Sequence, residues 1–159
     1  MKARGTERVQ AALEAAGLDV TVVNLQKSAR TAQLAADALG VDLGSIVKSL
    51  VFLVDGEPVL VLVAGDRRVD PNKLKTLSEA RRVMIADAER VRSETGFSIG
   101  GVPPVGHQRQ MPTWIDASLG RFETVYAAAG HPRAVFPIAF ELLVRITAGR
   151  VADVTEDTS

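Results

Sequence analysis

The sequence predicts a mixed α/β fold, and three observations lead to it. Two continuous apolar runs, at 49–54 and 59–64, are separated by the turn-forming pair Asp55-Gly56. Runs that are apolar on both faces form strands covered on both sides. Segments with the spacing of amphipathic helices lie before and after these runs, so helices and strands interleave. The length of 159 residues suits one domain, and we expect a single domain over residues 1–159.

Three elements are predicted before the apolar runs. The first is a helix ended by Gly17, with apolar positions at the spacing of one helix face: Val9, Ala12, Leu13 and Ala16. The β-branched stretch 20–25 predicts a strand. Thr31 is suited to cap a second helix, which Gly40 would end.

The elements after the apolar runs alternate in the same way. Asp70-Pro71 opens a helix, because Asp caps well and Pro fits the first helical position. Asp87 opens another helix that ends at Gly96, and a long loop rich in Gly and Pro follows over 97–112. The remaining predictions are a C-terminal helix carrying Phe140, Leu143, Val144 and Thr147, strands at 83–86, 114–116, 124–127 and 151–154, and a short strand or bend at 135–136.

Composition narrows the functional classes. Cysteine is absent, so neither a disulfide framework nor a cysteine metal site is expected, and the cytoplasm is the expected location. The chain has 19 basic and 19 acidic residues, which argues against a general nucleic-acid coat. Between Arg67 and Arg92, eight basic residues stand against four acidic ones, giving either a solvated helix face or a local basic surface. No apolar run reaches the roughly 18 residues of a membrane span, so no membrane partner is expected.

Common catalytic motifs are missing from the sequence. It contains no G-x-S-x-G elbow, no phosphate-binding P-loop and no H-E-x-x-H pair. His107 and His131 lie far apart and have no second ligand nearby, so we expect no metal and no cofactor. A Ser-His-Asp triad stays open, because a triad is a spatial arrangement.

Three features can carry chemistry. Lys48 precedes an apolar strand, so its ammonium either binds a phosphate or a carbonyl at the rim of the core or simply extends into solvent. Gly100-Gly101-Val102-Pro103-Pro104 combines close backbone approach with stiffness, and its N–H groups either bind an oxyanion or belong to an ordinary rigid turn. Gly130-His131-Pro132 fixes the backbone around one imidazole, which either contacts a ligand or caps local backbone groups.

In this order, these features resemble the YbaK family and the editing insertion domain of bacterial prolyl-tRNA synthetase. The resemblance extends from about Thr6 to Val154. It depends on an ordered set of segments: Ser28-Ala29-Arg30-Thr31-Ala32, Ile46-Val47-Lys48-Ser49-Leu50-Val51-Phe52, Gly100-Gly101-Val102-Pro103-Pro104-Val105-Gly106-His107, Trp114-Ile115-Asp116-Ala117-Ser118-Leu119 and Gly130-His131-Pro132.

The resemblance implies a single domain with a mixed, partly closed, barrel-like sheet flanked by helices. It also implies a trans-editing enzyme, a hydrolase that cleaves the ester of a mischarged aminoacyl-tRNA and removes a small amino acid from prolyl-type tRNA. The implied partner is the 3′ end of the mischarged tRNA, and an aminoacyl-tRNA synthetase is a further candidate. DNA is not among the implied partners.

The resemblance also assigns roles to individual residues. Lys48 matches the family's functional lysine beside the tRNA 3′ end. The segment Gly100-Gly101-Val102-Pro103-Pro104 fits a G-x-x-x-P loop whose backbone holds the aminoacyl group. His131 matches a histidine of the amino-acid pocket, and Thr31 lies in a segment that walls this pocket. Ser49 departs from the pattern, since relatives that clear alanine often carry Asn there, and it is expected to contact the substrate.

Hydrolysis of an aminoacyl ester needs little from the protein, because the ester is already activated. A positioned water and a stabilised oxyanion suffice. In the hypothesis of substrate-assisted hydrolysis, the ribose hydroxyl directs the water, Lys48 anchors the terminal phosphate or ribose, and the Gly101 and Val102 N–H groups hold the carbonyl. His131 shapes the pocket in this scheme. The alternatives are a non-catalytic module of the same fold that binds a tRNA end or a small ligand, and a general esterase.

Overall fold

The structure is a computed structural model that describes residues 2–157, with side chains from residue 5 onward. Residues 1, 158 and 159 of the expected domain lie outside the described residues, and the single-domain organisation stays a prediction. The helices and strands of the structure are α1 Lys2–Ala15, β1 Val23–Asn24, α2 Ala32–Leu39, β2 Ile46–Val54, β3 Glu57–Ala64, α3 Pro71–Leu77, β4 Val83–Ile85, α4 Ala88–Thr95, β5 Thr113–Asp116, β6 Thr124–Ala128, β7 Ala134–Ala139, α5 Phe140–Thr147 and β8 Arg150–Ala152.

The eight strands form one mixed sheet in the order β1-β7-β6-β2-β3-β5-β8, and β4 pairs with β2. The pairs β2–β6, β3–β5 and β5–β8 are parallel, and the other pairs are antiparallel. One edge of β2 is shared: its first residues pair with β6 and its last with β4. The expected α/β class with a mixed sheet flanked by helices is confirmed. None of the helices in the described range is long and apolar enough to cross a membrane.

The central hairpin follows directly from the two apolar runs. β2 and β3 pair antiparallel from Val47 with Ala64 to Val54 with Glu57. Between them Asp55 and Gly56 both have positive φ, 50° and 85°. Two successive residues with positive φ match the right-handed twist of a tight hairpin, so the Asp-Gly turn is confirmed.

Strand β3 is buried on both faces, as its continuous apolar sequence requires. Leu60, Leu62 and Ala64 belong to one hydrophobic cluster, which α1 and α5 help to cover. The alternate residues belong to a second cluster under α3: Val59, Val61 and Val63. Because side chains alternate along a strand, one strand joins two cores on opposite sides of the sheet.

Three helices begin at the predicted caps. The Thr31 side chain accepts a hydrogen bond from the Leu34 N–H at 3.1 Å, Asp70 accepts one from Asn72 at 2.9 Å, and Asp87 accepts one from Arg90 at 2.8 Å. Each of these bonds satisfies an N–H group that the first turn of a helix leaves unpaired. The cap of α2 bears on function, since Thr31 and the first turn of α2 lie at a cavity.

Two predicted strands differ from the structure. The expected strand 20–25 is reduced to β1, because the Gln10 side chain of α1 bonds the Val20 carbonyl at 2.9 Å and the Val22 N–H at 3.0 Å. Those backbone groups are therefore not available to a neighbouring strand. The last strand ends at Ala152 and not at 154, since the Val154 N–H donates to the buried Asp116 carboxylate at 2.9 Å.

Candidate active site

A cavity of about 350 Å³ opens beside the first half of β2. Its floor is formed by β2, β6 and β7, and its sides by the start of α2, the end of β4 and the loop after α4. Most of its walls are apolar. Ile85 and Ile99, which also line the cavity, are 61% and 60% exposed. A small, mostly apolar cavity with few polar groups has the character of a ligand site.

Lys48 lies in this cavity wall, paired with Val63 of β3. Its Nζ donates a hydrogen bond to the Arg67 carbonyl oxygen at 2.5 Å. Burial lowers the pKa of Lys48 below the usual lysine value, and the Arg68 guanidinium lowers it further, while the Asp66 carboxylate opposes both effects. An ammonium has three N–H donors, so Lys48 retains donors for a phosphate or a ribose oxygen after bonding Arg67.

Ser49 follows Lys48 and also lines the cavity. Its Oγ is shielded from solvent and has no hydrogen-bond partner among the described residues. A buried hydroxyl without a partner is unfavourable by about 1–3 kcal/mol, so a ligand that supplies a partner recovers that free energy. Contact between Ser49 and a substrate stays a prediction.

The start of α2 brings Thr31 and Arg30 to the same cavity. Thr31 was expected there. Arg30, Ile85, Ile99 and Tyr126 also line the cavity, although the sequence did not single them out as site residues. Arg30 stood within a segment that carried the family resemblance, whereas Ile85 and Tyr126 lie on strands whose pairing with β2 is visible only in three dimensions.

The Gly-rich loop reaches the cavity through Gly100 and Val102. Gly101 donates its N–H to the Ser98 carbonyl at 3.0 Å, which closes a turn with Gly100 at φ 96°. The third position of such a turn requires positive φ and therefore favours glycine. The expectation that Gly101 donates its N–H to the substrate is not supported by this geometry. For the Val102 N–H no hydrogen bond is found within residues 2–157, so it stays a candidate donor.

The Gly-rich loop and the Gly130-His131-Pro132 turn are in direct backbone contact. The Gly130 N–H donates to the Gly101 carbonyl at 2.9 Å. A Cβ on Gly101 would lie 3.0 Å from the His131 nitrogen and 3.1 Å from its Cα, so only glycine fits there without a shift. The structure thus brings these two motifs together.

His131 does not line the first cavity. It lines a second cavity of about 600 Å³, which Gly101 also borders. Its Nδ1 lies 3.0 Å from the Arg133 N–H and accepts that hydrogen bond. In a neutral imidazole the proton is then on Nε2. The expected place of His131 in the same pocket as Lys48 is therefore not what this structure shows.

Pro103 and Pro104 are buried and border neither cavity. The Pro103 carbonyl lies 2.6 Å from Nε2 of His107, whose ring packs edge-on against Phe97. The two prolines thus hold the loop in shape, and contact with a substrate, which was expected for them, is not supported by their position. A search of the described residues finds no cluster of three or more His, Cys, Asp or Glu suited to a metal ion.

Comparison with known proteins defines the class of this fold and site. A family model described as "Aminoacyl-tRNA editing domain" matches residues 26–146. These residues include Lys48, Ser49, the Gly-rich loop and His131, that is, all the motifs discussed above. The molecule is thus a hydrolase of the aminoacyl-tRNA deacylase class, as expected. The chain belongs to the aminoacyl-tRNA editing domain family.

Individual relatives agree with this assignment. The chain is 33% identical to the uncharacterized protein YwhH of Bacillus subtilis over 86% of its own length and 87% of that protein. It is 27% identical to EbsC of Enterococcus faecalis, named as a candidate Cys-tRNA(Pro)/Cys-tRNA(Cys) deacylase, over 79% of its own length and 77% of that protein. A crystal structure described as a candidate trans-editing enzyme for prolyl tRNA synthetase is 44% identical, with a TM-score of 0.91 over 96% of this chain and 98% of the other.

Proposed function

We propose that this protein hydrolyses the ester of a mischarged prolyl-type tRNA in trans and releases a small amino acid. The observation that carries the proposal is one cavity of about 350 Å³ bordered by Lys48, Ser49 and Val102. The lining thus includes a lysine and a serine, and most of the other lining residues are apolar. The names of EbsC and of the similar trans-editing structure support the choice of prolyl-type tRNA.

The chemistry proposed for this site is substrate-assisted attack by water. Water adds to the ester carbonyl, the Val102 N–H stabilises the oxyanion, and the ester bond to the ribose oxygen then breaks. That oxygen takes up a proton and leaves as the ribose hydroxyl, while the water becomes part of the released carboxylate. Lys48 holds the terminal phosphate or ribose, and the neighbouring ribose hydroxyl directs the water. Positioning and oxyanion stabilisation are sufficient for an activated ester.

The cavity would select small amino acids by exclusion. A methylene group is worth only about 1–3 kcal/mol in binding, so a synthetase separates similar amino acids poorly. A separate editing pocket that is too small for the larger, correct amino acid rejects it by steric clash. Delivery by a synthetase belongs to the same proposal. The chain has no net charge, so its own electrostatic attraction to tRNA is weak. The proposed location is the cytoplasm.

The test is amino-acid release from Ala-, Ser-, Thr- and Cys-tRNA, each on prolyl and on cognate tRNA, with and without prolyl-tRNA synthetase. We expect release from one or a few members of this panel. Lys48→Ala should lower kcat/KM for them by about a hundredfold, because the cation that holds the terminal phosphate or ribose and so positions the ester is lost. Lys75→Ala, an exposed lysine on α3, is the matched control and should leave release unchanged. Folded protein that releases nothing from any member would refute the proposal.

A further inference from the structure

The second cavity adjoins the first at the Gly-rich loop. Gly100 borders the first cavity and the adjacent Gly101 borders the second, so two neighbouring glycines separate them. The second cavity is the larger, at about 600 Å³ against about 350 Å³. It lies between the first turns of α1, the loop after α4 and the Gly130-His131-Pro132 turn. Nothing in the mechanism above uses it.

The groups around the second cavity favour an anion. Its lining includes Arg8 and Arg133, the hydroxyl residues Ser28 and Ser98, and no Asp or Glu among the described residues. Arg133 is exposed, and no hydrogen bond or ion pair of its side chain is found in the part of the chain that the structure describes. A guanidinium presents a planar set of donors that matches a phosphate.

Arg8 is held in a fixed orientation at the same cavity. Its guanidinium lies 4.4 Å from the centre of the Phe97 ring and bonds the Gly106 carbonyl at 3.2 Å. A Cβ on Gly96 would come within 2.8 Å of this guanidinium, so the glycine leaves room for it. Arg8 nevertheless stays exposed. Planar guanidinium groups are surfaces on which unpaired nucleobases stack.

We propose that the second cavity binds a phosphate-bearing nucleotide of the single-stranded tRNA end, while the first holds the amino acid and its esterified ribose. This inference depends on the proposed function. The two parts of the substrate are joined at the 5′-phosphate of that ribose, and the two cavities meet at Gly100-Gly101. The single-stranded tRNA end then passes Gly100 and Gly101, with Lys48 at the first cavity and Arg133 at the second. Arg133 binds a phosphate and Arg8 offers its plane to a base.

The experiment compares Arg133→Gln with Arg145→Gln, an exposed arginine on α5 that borders neither cavity. Two substrates carry the same amino acid: aminoacyl-tRNA, and aminoacyl-adenosine, which has no phosphate. For aminoacyl-tRNA, Arg133→Gln should raise KM about tenfold and leave kcat unchanged. It should also reduce the slope of log KM against the logarithm of the salt concentration by about one. For aminoacyl-adenosine, neither variant should change KM.

Three results would overturn this inference while leaving deacylation intact. Arg133→Gln could behave like Arg145→Gln on both substrates, or it could impair both substrates equally, which would place Arg133 at the ester. Adenosine 5′-phosphate could bind without competing with aminoacyl-tRNA, which would indicate a separate site for free nucleotides.

Failure of the wild-type protein to release any amino acid would instead refute the proposed function. Direct binding of uncharged tRNA, weakened by Arg133→Gln only, tests the nucleotide site without turnover.

Discussion

At the scale of single residues, Ser49 carries a buried hydroxyl that has no hydrogen-bond partner among the described residues. The hydroxyl is shielded from solvent, and Ser49 lines the smaller cavity. A site whose hydroxyl bonds the substrate discriminates strongly against an analogue that leaves it unpaired. We therefore expect Ser49 to favour an amino acid with a hydrogen-bonding side chain over alanine.

Replacing Ser49 tests this preference. Ser49→Ala should lower the ratio of kcat/KM for Ser-tRNA to that for Ala-tRNA about tenfold, because the hydrogen bond to the substrate is lost and alanine no longer faces an unpaired hydroxyl. The ratio is measured on the same tRNA. Ser93→Ala, an exposed serine on α4, serves as control. An unchanged ratio in Ser49→Ala would remove the hydroxyl from substrate selection.

His107 gives a second prediction at the residue scale, this time on pH. Burial lowers the pKa of His107, the Pro103 carbonyl opposes this shift, and the Arg8 charge adds to the lowering. Because the folded-state pKa is below the unfolded value of about 6.5, the contribution of His107 to stability is full above pH 6.5. It is lost as the pH falls through the folded-state pKa.

The measurement is the thermal midpoint of unfolding from pH 7.5 down to pH 5. We expect the wild-type midpoint to fall over this range by more than that of His107→Gln, in which the titrating ring is absent and an amide can still donate to the Pro103 carbonyl. Equal changes in the two proteins would show that His107 does not couple pH to loop stability.

At the scale of elements, the Gly-rich loop and the His131 turn are in direct contact, and residues of this contact line both cavities. The three atoms nearest to a Cβ on Gly101 are backbone atoms of His131, at 3.0 to 3.2 Å, and backbone cannot rotate away. Gly101→Ala should therefore destabilise the fold by about 1–3 kcal/mol and reduce deacylation. Gly120→Ala, whose Cβ meets the Phe140 ring at 3.3 Å, should cost less. Denaturant unfolding with an activity assay compares the two, and equal stability losses would argue against a structural role for this contact.

Elements specified by neighbouring residues could be predicted from the sequence. The Asp55-Gly56 turn and the caps at Thr31, Asp70 and Asp87 depend on residues within four positions of one another, and all are confirmed. The strand at 20–25 was wrong over most of its length because Gln10, on another element, takes its backbone groups.

The candidate site was predictable only in part, because segments distant in the sequence build it together. The residues Lys48, Ser49, Thr31, Gly100 and Val102 do meet at one cavity. Its separation from the cavity of His131 depends on how the 97–112 loop folds back on residues far away in the chain. No local pattern in the sequence encodes the hydrogen bond from Gly101 to Ser98 that occupies its N–H group.

At the scale of the whole molecule, β3 is a strand whose two faces belong to the two main clusters. Leu62 is 0% exposed, and its neighbours on either side along the strand face the other cluster. Leu62→Ala should lower the free energy of unfolding by about 2–5 kcal/mol, because it opens a space in a packed core. Leu77→Ala, at a residue 39% exposed, should change it by far less. Urea denaturation provides both values, and similar losses would contradict the central role of β3.

The pairing of β1 with β7 has a consequence for how the molecule acquires activity. Val23 pairs with Val135, more than a hundred positions away, whereas β2 and β3 are joined by a two-residue turn. Contacts between distant segments close large loops and tend to form slowly during folding, after local hairpins. The first cavity needs Ala29 to Thr31 from one side of that pairing and Val135 from the other. We therefore expect the central hairpin to form before the pocket is enclosed, and deacylation to begin only once β1 has paired with β7.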